Sequence, residues 1–330
     1  MNTVSVGIKG LGFEVGENVV TNHDLAKFLD TNDDWIKEKI GISERKHASK
    51  DKALSDLALI AAKKALKAAG IDARELDLII VSTITPDHTN VSTACLLQNL
   101  LGADKAAAFD ISNGGCPGSV YSLVTGSKFI ADGTYKNVLV IAGEIYSKFV
   151  NWKDRSICVY FGDGVGAAVL QPVEEGYGIL AHTLGADGSG YNVLAAPAGG
   201  SRMPINEEIL KQGLNYAKMD GKSIWEFATR VFPESVAQSA KKANIEVSDI
   251  DFLISHQANI NIIKVGMEKL GLPMTKTYTN IDRYGNTGGA SVFIALTEAV
   301  DKGLIKRDDN LALVAFGGGL AYGSIIIRWF

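Results

Sequence analysis

Short apolar runs alternate with helical patterns along most of this chain. Residues 77–82, Asp77-Leu78-Ile79-Ile80-Val81-Ser82, form an apolar stretch of strand length, the pattern of a strand covered on both faces. Residues 138–143 and 311–317 are similar apolar strand candidates. Residues 55–69 carry Ala, Leu and Lys at helical spacing and stop at Gly70, which suits a C-terminal cap. Residues 4–8 alternate weakly and are expected to form a strand. Asn22-His23-Asp24 is expected to cap a short helix through Leu29, because side-chain oxygens there can accept orphan N–H bonds. Strand and helix keep alternating to the end, which predicts an α/β layered fold.

The chain also resembles itself. Leu76-Asp77-Leu78-Ile79-Ile80-Val81-Ser82 matches Ile250-Asp251-Phe252-Leu253-Ile254-Ser255-His256. Further on, Phe109-Asp110-Ile111, Cys116-Pro117-Gly118 and Ala131-Asp132-Gly133 match Asn280-Ile281-Asp282, Asn286-Thr287-Gly288 and Asp301-Lys302-Gly303 in order. Aligning Gly133 with Gly303 sets an offset of 303 − 133 = 170, which carries Cys116 onto Asn286. The strand ends place His256 opposite Ser82. Two copies of a βαβ-rich unit, residues 1–175 and 176–330, are therefore expected to face each other about a pseudo-twofold axis. Equivalent helix N-termini would meet at that axis and bring Cys116, His256 and Asn286 into one site.

Composition narrows the class. With 46% hydrophobic and 21% charged residues, the chain reads as globular rather than disordered. No run approaches the ~18 apolar residues of a membrane span, and residues 1–10 lack the charged-then-apolar pattern of a signal peptide. A net charge of −4 argues against a broad nucleic-acid surface. Three cysteines cannot form a disulfide framework, and the odd count fits a reducing cytoplasm. No His, Cys and Asp cluster has ligand spacing, so no catalytic metal is expected.

Cys116 lies in Ser112-Asn113-Gly114-Gly115-Cys116-Pro117-Gly118, which predicts a strand, a sharp glycine turn, the cysteine and then a helix with Pro117 in its first position. A sulfur at a helix N-terminus feels the positive end of the dipole, which favours the nucleophilic thiolate. Cys95, in an apolar helical pattern, and Cys158, in a strand-like run, are read as buried and inert. His256 directly follows an apolar strand, and sites form at the carboxyl ends of strands in open α/β sheets. His23, His47, His88 and His182 are read as surface or structural. Asn286, in Tyr284-Gly285-Asn286-Thr287-Gly288-Gly289, is either a helix N-cap or a donor in the shared site. Gly317-Gly318-Gly319 follows the last long apolar run, where backbone N–H groups could hold an oxyanion. The glycine-rich run around Asp163 leads into a strand pattern instead of a helix, and Gly10 to Gly16 has the wrong final spacing, so neither is a dinucleotide fingerprint.

Four ordered motifs resemble the β-ketoacyl-acyl-carrier-protein synthase III group of the thiolase superfamily: Gly114-Gly115-Cys116, Ser255-His256-Gln257-Ala258-Asn259, Tyr284-Gly285-Asn286-Thr287 and Phe316-Gly317-Gly318-Gly319. The similarity extends to Thr31-Asn32-Asp33-Asp34-Trp35, Asp154-Arg155-Ser156 and Phe161-Gly162-Asp163-Gly164 and runs nearly end to end. It implies a five-layered α-β-α-β-α fold, a homodimer, and a Cys116-His256-Asn286 triad. It also implies backbone N–H groups of Cys116 and Gly318 as the oxyanion hole. The implied reaction is acylation of Cys116 by an acyl-coenzyme A, then decarboxylative condensation with malonyl on an acyl carrier protein, with no cofactor beyond the substrates' own phosphopantetheine. Thiolases that deprotonate use a second catalytic cysteine near the C-terminal glycine turn, and this stretch has none.

Thr31, Trp35, Lys39, Arg155 and Asn259 fall at or near the family's coenzyme A contacts, with Trp35 and Arg155 at positions that sandwich the adenine. The chain departs from the family pattern at Lys39, where Arg is common, at Asn261, where a carrier-docking Arg is expected, and at Asn90, often Phe. Gly115-Cys116-Pro117 replaces Ala-Cys-Ala. These departures motivate a second reading on the same fold, a ketosynthase or acyltransferase of a polyketide-type pathway with a non-standard acyl donor or acceptor. A papain-like hydrolase shares the order Cys, His, Asn, but its cysteine neighbourhood is absent and the duplication has no place in it.

Overall fold

The structure, a computed structural model, describes residues 4–112 and 115–330. Asn113 and Gly114, part of the expected glycine turn, and residues 1–3 lie outside the described residues. Five strands form the first sheet: β1 (Val6–Val15), β2 (Leu78–Ser82), β3 (Ala107–Ile111), β4 (Val138–Glu144) and β5 (Gly164–Pro172), in the order β1-β5-β4-β2-β3. Four strands form the second: β6 (Gly178–Ala186), β7 (Phe252–Ser255), β8 (Asn310–Gly317) and β9 (Ala321–Arg328), in the order β7-β8-β9-β6. Each sheet has a parallel core, β3-β2-β4 and β7-β8, extended by antiparallel neighbours.

The continuous apolar runs are explained by the layering. Successive residues of a strand point to opposite faces. In β2, Leu78 and Ile80 join the central core while Ile79 and Val81 join an outer one, so both faces must be apolar. The outer layer over the first sheet is α1 (Leu54–Ala69), whose Leu57, Ala58, Ala61, Ala62 and Ala65 form its buried stripe. The middle layer is α2 (Gly118–Ala131) and α3 (Ala290–Asp301). In α3 every residue from Ala290 to Leu296 is buried, as a helix between two sheets requires. The outer layer over the second sheet is α4 (Gly221–Lys242) and α5 (Ile260–Lys269). This is the five-layered thiolase-like arrangement.

The halves share details finer than topology. Asp77 accepts the backbone N–H of Asn137 at 2.9 Å, and the Asn137 side-chain amide donates to the Glu75 carbonyl at 2.8 Å. In the second half Asp251 accepts the N–H of Asn310 at 2.9 Å, and the Asn310 amide donates to the Asp249 carbonyl at 3.0 Å. Gly133 and Gly303 end α2 and α3 with φ of 83° and 64°. The match is incomplete in one place. The counterpart of β3 is reduced to a single bridge, Leu253 with Thr277.

Two local expectations are corrected. The first short helix spans Asn22–Ala26 and is capped by Thr21, whose hydroxyl accepts the Asp24 N–H while Asp24 accepts the Thr21 N–H. The residues beyond Ala26 turn instead of continuing the helix. Cys158 ends a short helix, Arg155–Cys158, not a strand.

Candidate active site

Cys116, His256 and Asn286 line one cavity of about 70 Å³, between the middle helices and the end of the second sheet. Each arrives from a different local device. Cys116 precedes α2 by a tight turn, in which the Gly118 N–H donates to the Gly115 carbonyl at 3.0 Å. Pro117 is the N-cap, so the helix starts one residue later than expected, and the Pro117 carbonyl accepts the Tyr121 N–H at 3.1 Å. Gly317, at the end of β8, leaves room for the cysteine: a Cβ there would lie 2.5 Å from Cys116 Cβ. Gly318 follows in the turn and is buried.

His256 continues the line of β7. Its N–H donates to the Val314 carbonyl at 2.8 Å, and its ring packs edge-on against Phe316. Nδ1 lies 2.7 Å from Ser291 Oγ, which also accepts the Gln257 N–H at 3.1 Å. A Ser291 hydroxyl that donates to Nδ1 leaves the ring proton on Nε2. Nε2 is buried without a partner among the described residues, so it is available to a cavity occupant. Burial depresses the imidazole pKa to about 3, so His256 is neutral near pH 7.

Asn286 is tied to the strand-like segment beside it. Its N–H donates to the Tyr160 carbonyl at 2.8 Å, and its carbonyl accepts the Gly162 N–H at 3.0 Å. Its side-chain Oδ1 accepts the Gly288 N–H at 2.9 Å, which leaves the Nδ2 amino group as the donor. The alternative of a plain helix cap is corrected: α3 starts at Ala290, and its N-cap is Gly289.

The expected thiolate is also corrected. Burial, with the Glu144 carboxyl adding to it, pushes the Cys116 thiol up to about 12. Glu144 is itself raised to about 7 by burial, against hydrogen bonds from Thr85, Ile84 and Thr83. Among the other cysteines, Cys158 is buried as expected, whereas Cys95 is exposed. His47 is a structural histidine, buried with Nε2 3.2 Å from the Phe161 carbonyl.

The residues at expected coenzyme contacts form two groups. Arg155 stacks on the Trp35 ring, 5.1 Å from its centroid, and donates to the Asp30 carbonyl. Thr31 is close in sequence and half-buried, and its hydroxyl has no partner among the described residues. Asn259 lines the cavity and caps α5, and its amide donates to the Lys39 carbonyl at 3.0 Å. Lys39 itself is exposed and paired with Glu38 at 2.6 Å. Neither Trp35 nor Arg155 lines the cavity. Sequence reasoning missed Ser291, Glu144 and Tyr146. Ser291 sits five residues beyond Asn286, but nothing in the pattern announces its bond to His256. Among the described residues no group of His, Cys, Asp and Glu could hold a metal ion, and no helix is long and apolar enough to cross a membrane.

With this geometry in place, similarity to known proteins settles the family. Residues 109–188 match 3-oxoacyl-[acyl-carrier-protein] synthase III and residues 240–329 match its C-terminal region. The β-ketoacyl-[acyl-carrier-protein] synthase III of Symbiobacterium thermophilum is 49% identical over 324 residues, 98% of each chain. The chain belongs to the 3-oxoacyl-[acyl-carrier-protein] synthase III family. The crystal structure of that synthase from Aquifex aeolicus is 40% identical, covers 98% of this chain and 100% of its own, and superimposes with a TM-score of 0.91. The priming β-ketosynthase of the R1128 polyketide pathway gives a TM-score of 0.92 at 28% identity, over 99% of this chain and 97% of that one.

Proposed function

We propose that this enzyme is the acyltransferase that starts fatty-acid synthesis, joining an acyl group from coenzyme A to malonyl-acyl carrier protein. The observation that carries the reading is the convergence of Cys116, His256 and Asn286 on one cavity from two halves of the chain. Cys116 Sγ bonds to the thioester carbonyl carbon, and the coenzyme A thiolate leaves and takes up the proton that Cys116 gives up. Backbone N–H groups of Cys116 and Gly318 hold the oxyanion, a contribution worth roughly 10²–10³ in rate per donor. Malonyl-acyl carrier protein then loses carbon dioxide. Neutral His256, through Nε2–H, and Asn286, through Nδ2, donate to the enolate oxygen. The enolate carbon bonds to the acyl carbon, and the Cys116 thiolate departs. A neutral imidazole and a carboxamide suit this step, because both donate without first gaining a proton.

Thr31, Trp35, Lys39, Arg155 and Asn259 are assigned to coenzyme A, and no cofactor beyond the substrates is needed. Trp35 and Arg155 offer a flat face and a guanidinium that suit a purine. A purine needs about 3.5 Å on each face, more than their 5.1 Å separation leaves, so adenine binding requires the pair to part. The same reading places the enzyme in the cytoplasm as a homodimer. The half-exposed edge strand β3, paired among the described residues only with β2, supports strand pairing between two copies. A polyketide-type role is less favoured, since synthase III relatives reach 49% identity and the priming ketosynthase 28%.

The test separates the half-reactions. Intact-mass spectrometry should show one acyl adduct, placed on Cys116 by peptide mapping, after mixing with acyl-coenzyme A. Asn286→Ala should still acylate and should lose malonyl decarboxylation by roughly 10²-fold or more. No adduct with any donor would remove Cys116 as nucleophile. Equal loss of both steps would make Asn286 structural.

A further inference from the structure

We propose that Tyr146 sets the length of the acyl group Cys116 can carry. The inference rests on the acyl-transfer reading and deepens it. Beside the cavity that Cys116 lines is a second, of about 130 Å³, walled in part by Ile84, Val150, Phe161 and Leu194. Phe161 and Leu194 belong to both walls, but Cys116 lines only the first cavity and Tyr146 only the second. Tyr146 therefore stands at the partition. Its Oη lies 4.0 Å from Cys116 Sγ, and its ring packs on Phe161 with centroids 4.5 Å apart.

The site's own glycines leave room for the phenol in that place. Gly115 and Gly288 have φ of 75° and 59°, where glycine is favoured. A Cβ on Gly115 would lie 2.7 Å from Tyr146 Oη, and one on Gly288 2.8 Å from it. Both glycines flank motif residues, Cys116 on one side and Asn286-Thr287 on the other. The cysteine turn and the asparagine turn are thus shaped around this one side chain. A two- or three-carbon acyl group stays on the cysteine side of the ring. A longer straight chain reaches the second cavity only if the ring moves. A pocket wall of this kind discriminates one methylene by roughly 10–200-fold.

The experiment is a ladder of acetyl-, butyryl-, hexanoyl- and octanoyl-coenzyme A, with the rate of the Cys116 adduct followed by intact mass. For the native enzyme, hexanoyl should react about 100-fold more slowly than acetyl. Tyr146→Leu should narrow that ratio at least about 10-fold by joining the cavities. Tyr146→Phe should leave it unchanged, because the ring and not the hydroxyl forms the wall. Phe161→Leu thins the same wall from its other side and keeps the test decisive if Tyr146→Leu fails to fold. A native ladder flat from acetyl to octanoyl would overturn the gate alone, as would an unchanged ratio in both folded leucine variants. No adduct from any donor would overturn the acyl-transfer reading and the gate with it.

Discussion

At Cys116 two effects of opposite sign act on one sulfur. The helix N-terminus favours a thiolate by up to about 2 kcal/mol in partly buried geometries. Burial, with Glu144 adding to it, raises the thiol from 9.0 to about 12, which disfavours the thiolate by about 4 kcal/mol, more than the dipole supplies. The turn, proline and helix around the sulfur were largely legible from local residues. Its burial was not, since it depends on β8 and α3 arriving from the other half of the chain. The same holds for Ser291. Its hydroxyl can fix His256 as the Nε2–H tautomer only once β7 and α3 are side by side. We expect Ser291→Ala to slow malonyl decarboxylation roughly 10- to 100-fold while acylation of Cys116 persists, because in the proposed reaction only the enolate step uses the histidine as donor. Nitrogen-15 NMR of His256 should show protonated Nε2 in the native enzyme and a mixture of tautomers in the variant. A native signal from protonated Nδ1 would sink this assignment.

Among elements, the informative contact is between the short helix Asp33–Lys39 and α5. Asn259 Oδ1 accepts the Asn261 N–H at 2.8 Å, and its amide reaches the Lys39 carbonyl at 3.0 Å. The Asn261 amide donates to the carbonyls of Glu38 and Lys39, both at 3.1 Å. Asn261, where the family pattern has a docking arginine, therefore satisfies carbonyls at the end of a helix, which otherwise lack intrahelical partners. Asn259→Ala loses both a cap and an inter-helix bond, so it should cost about 1–3 kcal/mol. Asn259→Asp should recover the cap portion. Urea denaturation of the three proteins measures both effects, and an alanine variant within 0.5 kcal/mol of native, roughly the usual range for a surface change, would show the tie to be idle. Long periodic elements such as α1 were legible because their pattern matches their burial. Short pieces, the helix after Thr21 and the one ending at Cys158, were misjudged because a single turn carries little periodic signal. The reduced counterpart of β3 was not visible either, since the self-match runs on through the altered stretch.

For the whole molecule, two buried ionisable groups set opposing slopes of stability against pH. His256 falls from 6.5 to about 3 on folding, so its contribution is complete above 6.5 and is lost as pH falls toward 3. Glu144 rises from 4.5 to about 7, so the folded state holds its proton more tightly, and stability falls as pH climbs from 4.5 through 7. Between 4.5 and 6.5 the two slopes largely cancel. The carboxyl sits at the end of β4 under hydrogen bonds from Thr83, Ile84 and Thr85, too few to offset its desolvation. Glu144→Gln removes one slope and leaves the other. Thermal melts from pH 4.5 to 7.5 should therefore show the variant gaining on the native enzyme as pH rises, by on the order of 3 kcal/mol across the window. Exposed carboxylates titrate in both proteins and drop out of the difference. A gap between the two melting curves that stays constant with pH would mean that Glu144 is already ionised at the acid end, and that its hydrogen bonds at the end of β4 offset the burial that should expel the charge.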